Sequence, residues 1–255
     1  MSILNLISER YDREARLYPA LLLIAPAVIT GVALFSAKIT GLQSLGATLV
    51  GFGGAFLLTQ LARDAGKNRE PSLYKRWGGM PSIAIFRHSH ARLDSITKAR
   101  YHKQLSSLVK GTKAPTVADE MADSSAAEAI YTAWSHFLRV NVRDNPKKAP
   151  LLLKENINYG YRRNVWGLRT VGIVLSAACT ISSGARLWFI YKGTSQISEH
   201  LAGALVISIV FLGLWVFRFT ADWVRVPAEA YAERLAESLE TFGSKTSVAK
   251  KTDKQ

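Results

Sequence analysis

The sequence predicts an all-α membrane protein: four transmembrane helices, arranged as two hairpins, with an α-helical cytosolic insert between the hairpins. The first observation is the spacing of charge, because no charged residue lies between Arg16 and Lys38 or between Lys38 and Arg63. About 20 apolar residues cross a bilayer as a helix, so each of these two runs is long enough. The few residues around Lys38 that join them predict a tight hairpin.

Two further apolar runs follow the insert and predict the second hairpin. The third run begins near Val165 and ends near Tyr191, and the fourth covers Leu201 to Val216. The predicted divisions of the chain are an N-terminal cytosolic or interfacial helix (1–17), the first transmembrane hairpin (18–62), the cytosolic α-helical insert (63–164), the second transmembrane hairpin (165–223), a C-terminal amphipathic helix (224–243) and a disordered tail (244–255).

The distribution of basic residues predicts the orientation of these spans. Residues 63–168 carry 19 Lys+Arg against 9 Asp+Glu, which is +10 of the chain's +14. The short links within the two hairpins hold only Lys38 and Lys192 as basic residues. Cytoplasmic loops of membrane proteins are enriched in Lys and Arg. Both termini and the 63–164 insert are therefore predicted to be cytoplasmic, and the lipid bilayer is the first predicted partner.

The insert is predicted to consist of helices joined by short loops. Helices are expected over Asp94–Lys110 and Val117–Val142, and a helix over Pro150–Asn164 is expected to continue into the third apolar run. Trp77–Ser82 must form a turn, because two glycines and a proline interrupt regular structure. The C-terminal helix is expected to pack on the insert through a stripe that consists of Tyr231, Leu235, Leu239 and Phe242.

Small residues recur on one face of the second apolar run. Ala47, Gly51 and Ala55 are spaced four residues apart. Small residues allow helices to approach closely in lipid. Two interpretations stay open: packing against the partner helix of the same hairpin, or a face that joins copies in a homo-oligomer or lines a pore.

Two stretches of the insert concentrate aromatic, Gly, Asn and Arg side chains next to a membrane entry point. They are Trp77–Pro81 and Glu155–Asn164. Arg and Asn side chains bind anionic groups by hydrogen bonds, so a ligand site is predicted here. The alternative is that these Arg residues simply meet lipid head groups. The candidate ligand-binding residues are Trp77, Glu155, Asn158, Tyr159, Arg162 and Arg163.

The same two stretches carry a resemblance. W-G-G-x-P at residues 77–81 and E-N-x-N-Y-G-Y-R-R-N at residues 155–164 resemble stretches of a group of uncharacterised bacterial multi-pass membrane proteins. The resemblance implies a location in the bacterial inner membrane and transfers no catalytic residue. The layout of two hairpins around a cytosolic insert is also similar to that of four-span effectors of bacterial anti-phage defence, and a layout does not establish a function.

Candidate catalytic and metal-binding residues are few. His88, His90 and Asp94 could bind a transition metal, although their spacing matches no standard motif such as H-E-x-x-H, and ordinary surface histidines are the alternative. The sequence contains no G-x-S-x-G elbow and no phosphate-binding loop that ends in G-K-[ST]. It therefore predicts no catalytic residue and no cofactor. The basic, aromatic-bearing insert leaves a nucleotide or nucleic-acid partner possible.

These observations favour a non-enzymatic inner-membrane protein. Its insert is predicted to sense or dock a cytosolic partner or ligand, and its spans are predicted to form a homo-oligomer that could perturb the membrane in defence or stress. The first alternative is a membrane enzyme that acts on a lipid or another amphiphile. The second is a non-catalytic scaffold that recruits a soluble protein.

Overall fold

The computed structural model describes residues 10–35, 41–143 and 149–252, and within these ranges the side chains of residues 41–53, 55, 143 and 241–252 are outside the description. Over the described ranges the regular structure is helical, without a strand, which confirms the predicted all-α class. The helices in chain order are α1 (Arg10–Phe35), α2 (Gly41–Trp77), α3 (Pro81–Ala84), α4 (Ser95–Leu108), α5 (Val117–Ala122), α6 (Ser124–Arg143), α7 (Pro150–Thr194), α8 (Glu199–Arg218) and α9 (Ala221–Thr252).

The chain divides into two compact units. The apolar unit comprises Met1–Glu70 and Gly160–Val224, and the insert unit comprises Pro71–Tyr159 and Arg225–Gln255. The helices α2, α7 and α9 each contribute residues to both units, so no turn marks the divisions. The predicted continuation of the Pro150–Asn164 helix into the third apolar run is confirmed, because α7 is unbroken from Pro150 to Thr194.

Three helices of the described residues are long and apolar enough to cross a membrane, namely α1, α7 and α8. In the most apolar stretch of each, only 28%, 17% and 22% of the residues are buried within the protein. Large side chains such as Val32, Ile181 and Val206 are therefore exposed. The predicted second span lies in α2, where the backbone is helical but most side chains before residue 56 are outside the description.

The N-terminal helix and the first span form one helix. Residues 1–9 of the predicted 1–17 helix lie outside the described residues, and the remainder is the first part of α1. No turn separates residues 10–17 from the first apolar run, and a change of helix type marks the predicted boundary at residue 17. A π-helical turn at Arg13–Leu17 ends two residues before Pro19. Proline lacks an N–H and disrupts ordinary helical pairing, and a π-helical turn keeps the chain helical there.

Within the apolar unit, the backbones of α2 and α7 are in contact at two glycines. A Cβ atom added at Gly167 would lie 2.5 Å from the backbone nitrogen of Gly66 and 2.6 Å from the carbonyl carbon of Ala65. The side-chain amide of Asn164, one turn earlier on α7, donates to the backbone oxygen of Ala15 on α1 at 2.8 Å. The core around these contacts consists of Ala20, Leu23, Ala62, Val165, Leu168, Trp215 and Phe219.

An arginine on α7 donates hydrogen bonds to backbone oxygens at the end of α8. The last turn of this helix, Leu214–Arg218, is π-helical. The Arg169 guanidinium on α7 donates from Nε to the Trp215 oxygen at 3.0 Å and from Nη2 to the Val216 oxygen at 2.7 Å. Carbonyl groups at a helix end need such donors in an apolar environment. Arg169, at the start of the third apolar run, therefore binds groups of the protein itself.

The insert unit has its own core, which includes the C-terminal helix. Leu235 and Leu239 of α9 are buried in the same cluster as Trp134 of α6, so the predicted packing of the C-terminal helix on the insert is confirmed. Tyr231 also packs against this cluster, and the side chain of Phe242 lies outside the description.

Two predicted helix boundaries differ from the structure. The single helix expected over Val117–Val142 is wrong, because the chain is two helices, α5 and α6, separated at Asp123. The carboxylate of Asp123 accepts from the Ala126 N–H at 2.9 Å, so it caps a new helix. The C-terminal helix, predicted as 224–243 and followed by a disordered tail at 244–255, begins at Ala221 and continues to Thr252. Residues 244–252 contain no proline, and Lys and Ala favour helix.

Candidate functional site

A buried lysine holds the loop that joins α3 to α4. Lys98 lies on the face of α4 that also buries Tyr101, His102 and Leu105. Its ammonium donates to the backbone oxygens of Arg87 at 2.8 Å, His88 at 3.1 Å and His90 at 2.5 Å. An ammonium group has three donors, so all of them are used by the loop. Burial lowers the pKa of Lys98, while the charge of Glu120 opposes that shift.

A histidine beside this lysine fixes the start of the same loop. The His102 ring nitrogen Nε2 is 2.8 Å from the backbone oxygen of Phe86, and the ring lies within 5.7 Å of Tyr131 and 5.1 Å of Trp134 between ring centres. Burial lowers the pKa of His102, so the neutral ring is favoured. A neutral Nε2–H can donate to that oxygen. This contact therefore fixes the backbone at Phe86, where the loop begins.

The two glycines of the W-G-G stretch make room for an arginine. Gly78 and Gly79 have φ angles of 77° and 140°, which favour glycine. A Cβ atom at Gly79 would lie 2.5 Å from Nη2 of Arg87. The Arg87 guanidinium donates from Nη1 to the Gly78 oxygen at 2.7 Å, and to both carboxylate oxygens of Glu128 from Nε at 2.9 Å and Nη2 at 2.6 Å. This hydrogen-bonded pair raises the pKa of Arg87.

A second carboxylate lies close to this pair. Glu120 accepts from the backbone N–H of His88 at 2.9 Å and from the hydroxyl of Tyr131 at 2.7 Å. Burial acts against ionisation of Glu120, but the hydrogen bonds from His88 and Tyr131 outweigh it and hold the pKa of the carboxyl below its usual value. Burial and the bond to Glu120 raise the pKa of Tyr131. The ionised carboxylate and the neutral phenol are thus the stable forms at neutral pH.

These groups line an open cleft of the insert unit, which we call the Arg87 cleft. Its volume is about 470 Å³, within the range of small-molecule pockets, about 300–1,000 Å³. Its walls offer two carboxylates, one guanidinium and three hydroxyls, on the residues Arg87, Glu120, Ser124, Ser125, Glu128 and Tyr131. Such a lining can exchange hydrogen bonds with a polar partner that presents both donors and acceptors.

The predicted ligand-binding residues are divided between the two units. Trp77, Glu155, Asn158 and Tyr159 belong to the insert unit, where the Asn158 amide donates to Glu155 at 3.4 Å and the hydroxyl oxygens of Tyr159 and Tyr74 are 3.1 Å apart. The Trp77 ring lies 6.1 Å from that of Tyr74. Each of these side chains therefore has a contact with another residue of the insert unit. None of these contacts supports the predicted anion site, which stays a prediction.

The two predicted arginines belong to the apolar unit and bind its own groups. Arg163 is nearly buried, pairs with Glu70 at 2.9 Å and donates to the Asn164 side chain. Arg162 donates to the Trp223 backbone oxygen at 2.9 Å, and its guanidinium lies 4.9 Å from the centre of the Trp223 ring. Both cations therefore serve packing within the apolar unit.

The residues predicted to bind a metal have other partners. The carboxylate of Asp94 caps α4 by accepting from the Thr97 N–H at 2.9 Å, as the predicted helix start at Asp94 requires. The His88 ring nitrogen Nε2 is 2.8 Å from the Pro115 oxygen, and His90 accepts from the Arg92 N–H. In the part of the chain that the structure describes, no group of three or more His, Cys, Asp or Glu side chains could hold a metal ion.

The predicted packing face of the second span cannot be compared with the structure. Ala47, Gly51 and Ala55 lie in α2, and their side-chain surroundings are outside the described residues. Their role in packing stays a prediction.

Sequence reasoning missed Lys98 and Arg87, for different reasons. The burial of Lys98 could have been predicted from the sequence. It shares an i, i+3, i+4, i+7 pattern with Tyr101, His102 and Leu105, which is typical of the buried face of a helix. Arg87 and Glu128 are 41 residues apart, and no local pattern links them. Glu120 likewise gains its role only through the fold.

Over the described ranges, the chain is helical, has three helices long and apolar enough to cross a membrane, and has a helical unit with a hydrogen-bonding cleft. Comparison with models of protein families, with curated proteins and with solved structures found no match to this chain.

Proposed function

We propose that this chain is a four-span protein of the bacterial inner membrane whose insert unit is a cytoplasmic, non-catalytic recognition module. The exposed apolar faces of α1, α7 and α8 support the membrane location, because large apolar surfaces on a soluble monomer are rare. The uncharged first half of α2 supplies the remaining span. The basic insert supports a cytoplasmic orientation by the positive-inside rule.

The single observation that carries the recognition role is the state of the ionisable groups in the Arg87 cleft. Glu128 is held by Arg87, and Glu120 is held by the His88 N–H and the Tyr131 hydroxyl. A general base works best when its pKa lies near the operating pH, whereas the hydrogen bonds to Glu120 hold the pKa of its carboxyl below the usual value and Glu128 is fixed in an ion pair with Arg87. A polar lining held in this way is preorganised for binding.

The charges of the cleft favour a polypeptide over a nucleic acid. Two carboxylates, Glu120 and Glu128, face the cleft together with one guanidinium. Carboxylates repel phosphates, and nucleic-acid sites are lined by Lys and Arg instead. A polypeptide segment presents alternating N–H and C=O groups that match the serine hydroxyls and carboxylates. The partner in this proposal is therefore a cytosolic protein.

Self-association of the spans belongs to the same proposal. The exposed sides of α7 and α8 include Val174, Ile181 and Ile209, which can contact either lipid or a second copy. Membrane perturbation in defence stays a prediction from the layout alone. The alternative of an enzyme that uses His88, His90 and Asp94 is disfavoured, because each of these residues is engaged in a contact that shapes the loop or caps α4.

Photo-crosslinking in bacterial cells tests the recognition role. Ser125 is exposed and lines the cleft, so we replace it in the full-length chain by the photoreactive residue p-benzoylphenylalanine. The control position is Lys103, which is exposed on α4 and does not line the cleft. We expect a discrete adduct with a cytosolic protein from position 125 and none from position 103.

A second variant links that adduct to the cleft. Ser124→Trp places a bulky ring in the cleft mouth, at an exposed position whose side chain the fold does not bury. We expect it to abolish the adduct at position 125. Equal adducts at positions 125 and 103, or an adduct that survives Ser124→Trp, would contradict the recognition role.

A further inference from the structure

A second cleft of the insert unit has a different chemical character. It lies between the C-terminal end of α6, the start of α7 and α9, and has a volume of about 210 Å³. It shares no lining residue with the Arg87 cleft. The described residues that line it are mainly apolar and include one guanidinium, one amide and one phenol; they are Arg139, Val142, Ala149, Leu152, Leu153, Asn156 and Tyr231.

Arg139 is the charged group among the described residues that line this cleft, and two of its donor atoms have no described partner. Its Nε donates to the backbone oxygen of Ser135, one turn earlier on α6, at 3.3 Å. Among the described residues, no ion pair is formed by Arg139, and its Nη1 and Nη2 atoms have no hydrogen-bond partner. A half-buried guanidinium beside apolar walls gains from an anionic partner more than an exposed one does.

The amide of Asn156 adds a second polar group to this cleft. It is half-buried on α7, and no described residue bonds to it. Leu152 is almost fully buried at the base of the cleft and Leu153 is more exposed at its rim. A mainly apolar cavity with a few convergent polar groups is the usual form of a small-molecule site.

We propose that this cleft binds an anionic amphiphile, with its acidic head on Arg139 and its apolar body on Val142 and Leu152. The guanidinium presents parallel N–H groups that match the two oxygens of a carboxylate or a phosphate monoester. The volume is below the usual range for pockets, about 300–1,000 Å³, so the ligand is small or only one end of it is enclosed. This site does not depend on what the Arg87 cleft binds.

The test uses the full chain in nanodiscs of zwitterionic lipid and three small probes, each with a phenyl ring on a four-carbon chain. The probes are 4-phenylbutyrate, 4-phenylbutyl phosphate and the uncharged 4-phenylbutanol, and binding is measured by saturation-transfer NMR. We expect at least one anion to bind more tightly than the alcohol. The preferred anion identifies the head group as a carboxylate or a phosphate. Equal binding of the alcohol and both anions, or no binding of any probe, would overturn the proposal.

Variants assign that binding to the cleft. We expect Arg139→Gln to weaken binding of the preferred anion about tenfold or more, because it removes a charge-assisted hydrogen bond. We expect Arg139→Lys to have an intermediate effect, because a lysine cannot form the paired contact. Leu153→Trp fills the cleft from its exposed rim and should abolish binding with the charge intact. The matched control is Lys154→Gln, an exposed charge on α7 that does not line the cleft. Equal affinities of Arg139→Gln and Lys154→Gln would overturn the proposal.

Discussion

Replacing Gly167 with alanine is expected to destabilise the protein strongly, because the new methyl group would meet backbone atoms of α2. The added Cβ would lie 2.5 Å from the backbone nitrogen of Gly66 and 2.6 Å from the carbonyl carbon of Ala65. Backbone atoms cannot rotate away as a side chain can, so α2 and α7 must separate. Overpacking costs about 1–3 kcal/mol, and we expect the upper end, which corresponds to a thermal midpoint lower by roughly 6–12 °C.

The matched control for this prediction is Gly193→Ala on the same helix. A Cβ atom at Gly193 would meet no heavy atom within 4 Å. Alanine favours helix over glycine by about 1 kcal/mol, so this variant should be neutral or slightly more stable. The measurement is the thermal midpoint of both variants in the same mild detergent. If Gly167→Ala unfolds at the midpoint of Gly193→Ala, the backbone contact between α2 and α7 does not exist.

Replacing Lys98 with methionine is expected to release the loop that positions Arg87. Methionine keeps the length of the side chain and removes its three donors. The Arg87 oxygen retains a second bond from the His90 N–H at 3.1 Å, but the oxygens of His88 and His90 lose their donor. An unsatisfied buried group costs about 1–3 kcal/mol. Since His88 and His90 are half-buried, we expect a total loss of about 2 kcal/mol in the free energy of unfolding of the insert unit.

Amide hydrogen exchange measures the loosening of this loop residue by residue. Amides of residues 85–92 should exchange faster in Lys98→Met than in the unchanged protein, because local opening becomes easier. The control is Lys103→Met, which removes an exposed lysine from the same helix and should change stability by no more than about 0.5 kcal/mol. Equal exchange of the 85–92 amides in the two variants would show that the ammonium does not hold the loop.

Local signals in the sequence predict the parts of this fold that depend on neighbours along the chain. Asp94 was expected to start a helix and does so by a standard cap. The turn at Gly78 and Gly79 and the passage of the Pro150 helix into the third apolar run also follow from local chemistry. The apolar stripe of α9 predicts its burial, because a 3.6-residue period needs a partner surface.

The parts that sequence alone does not predict depend on distant partners. Nothing local indicates that Arg87 pairs with Glu128, or that Arg163, a predicted ligand-binding residue, is paired with Glu70. Asp123 is a common N-cap residue type, which is a local signal for a helix start. The helical pattern on both sides of it concealed the break between α5 and α6. Arginines near a membrane entry were expected to face ligand or lipid, whereas Arg162 and Arg163 bind the protein's own groups.

The central claim is that four spans hold the insert unit in the cytoplasm, and cysteine labelling in spheroplasts tests it most directly. Cys179 is the only cysteine and is buried. In a Cys179→Ala background, single variants Arg10→Cys, Ser107→Cys and Gln196→Cys place a thiol at three exposed positions. The reagent is a maleimide that cannot cross the membrane.

The four-span account predicts that only Gln196→Cys is labelled in intact spheroplasts, since it lies in the link between α7 and α8. Arg10→Cys and Ser107→Cys should react only after the membrane is permeabilised. Labelling of Ser107→Cys in intact spheroplasts would place the insert outside and contradict the claim. Opposite behaviour of Arg10→Cys and Ser107→Cys would show an odd number of spans between them, so that one of α1 and α2 does not cross the membrane.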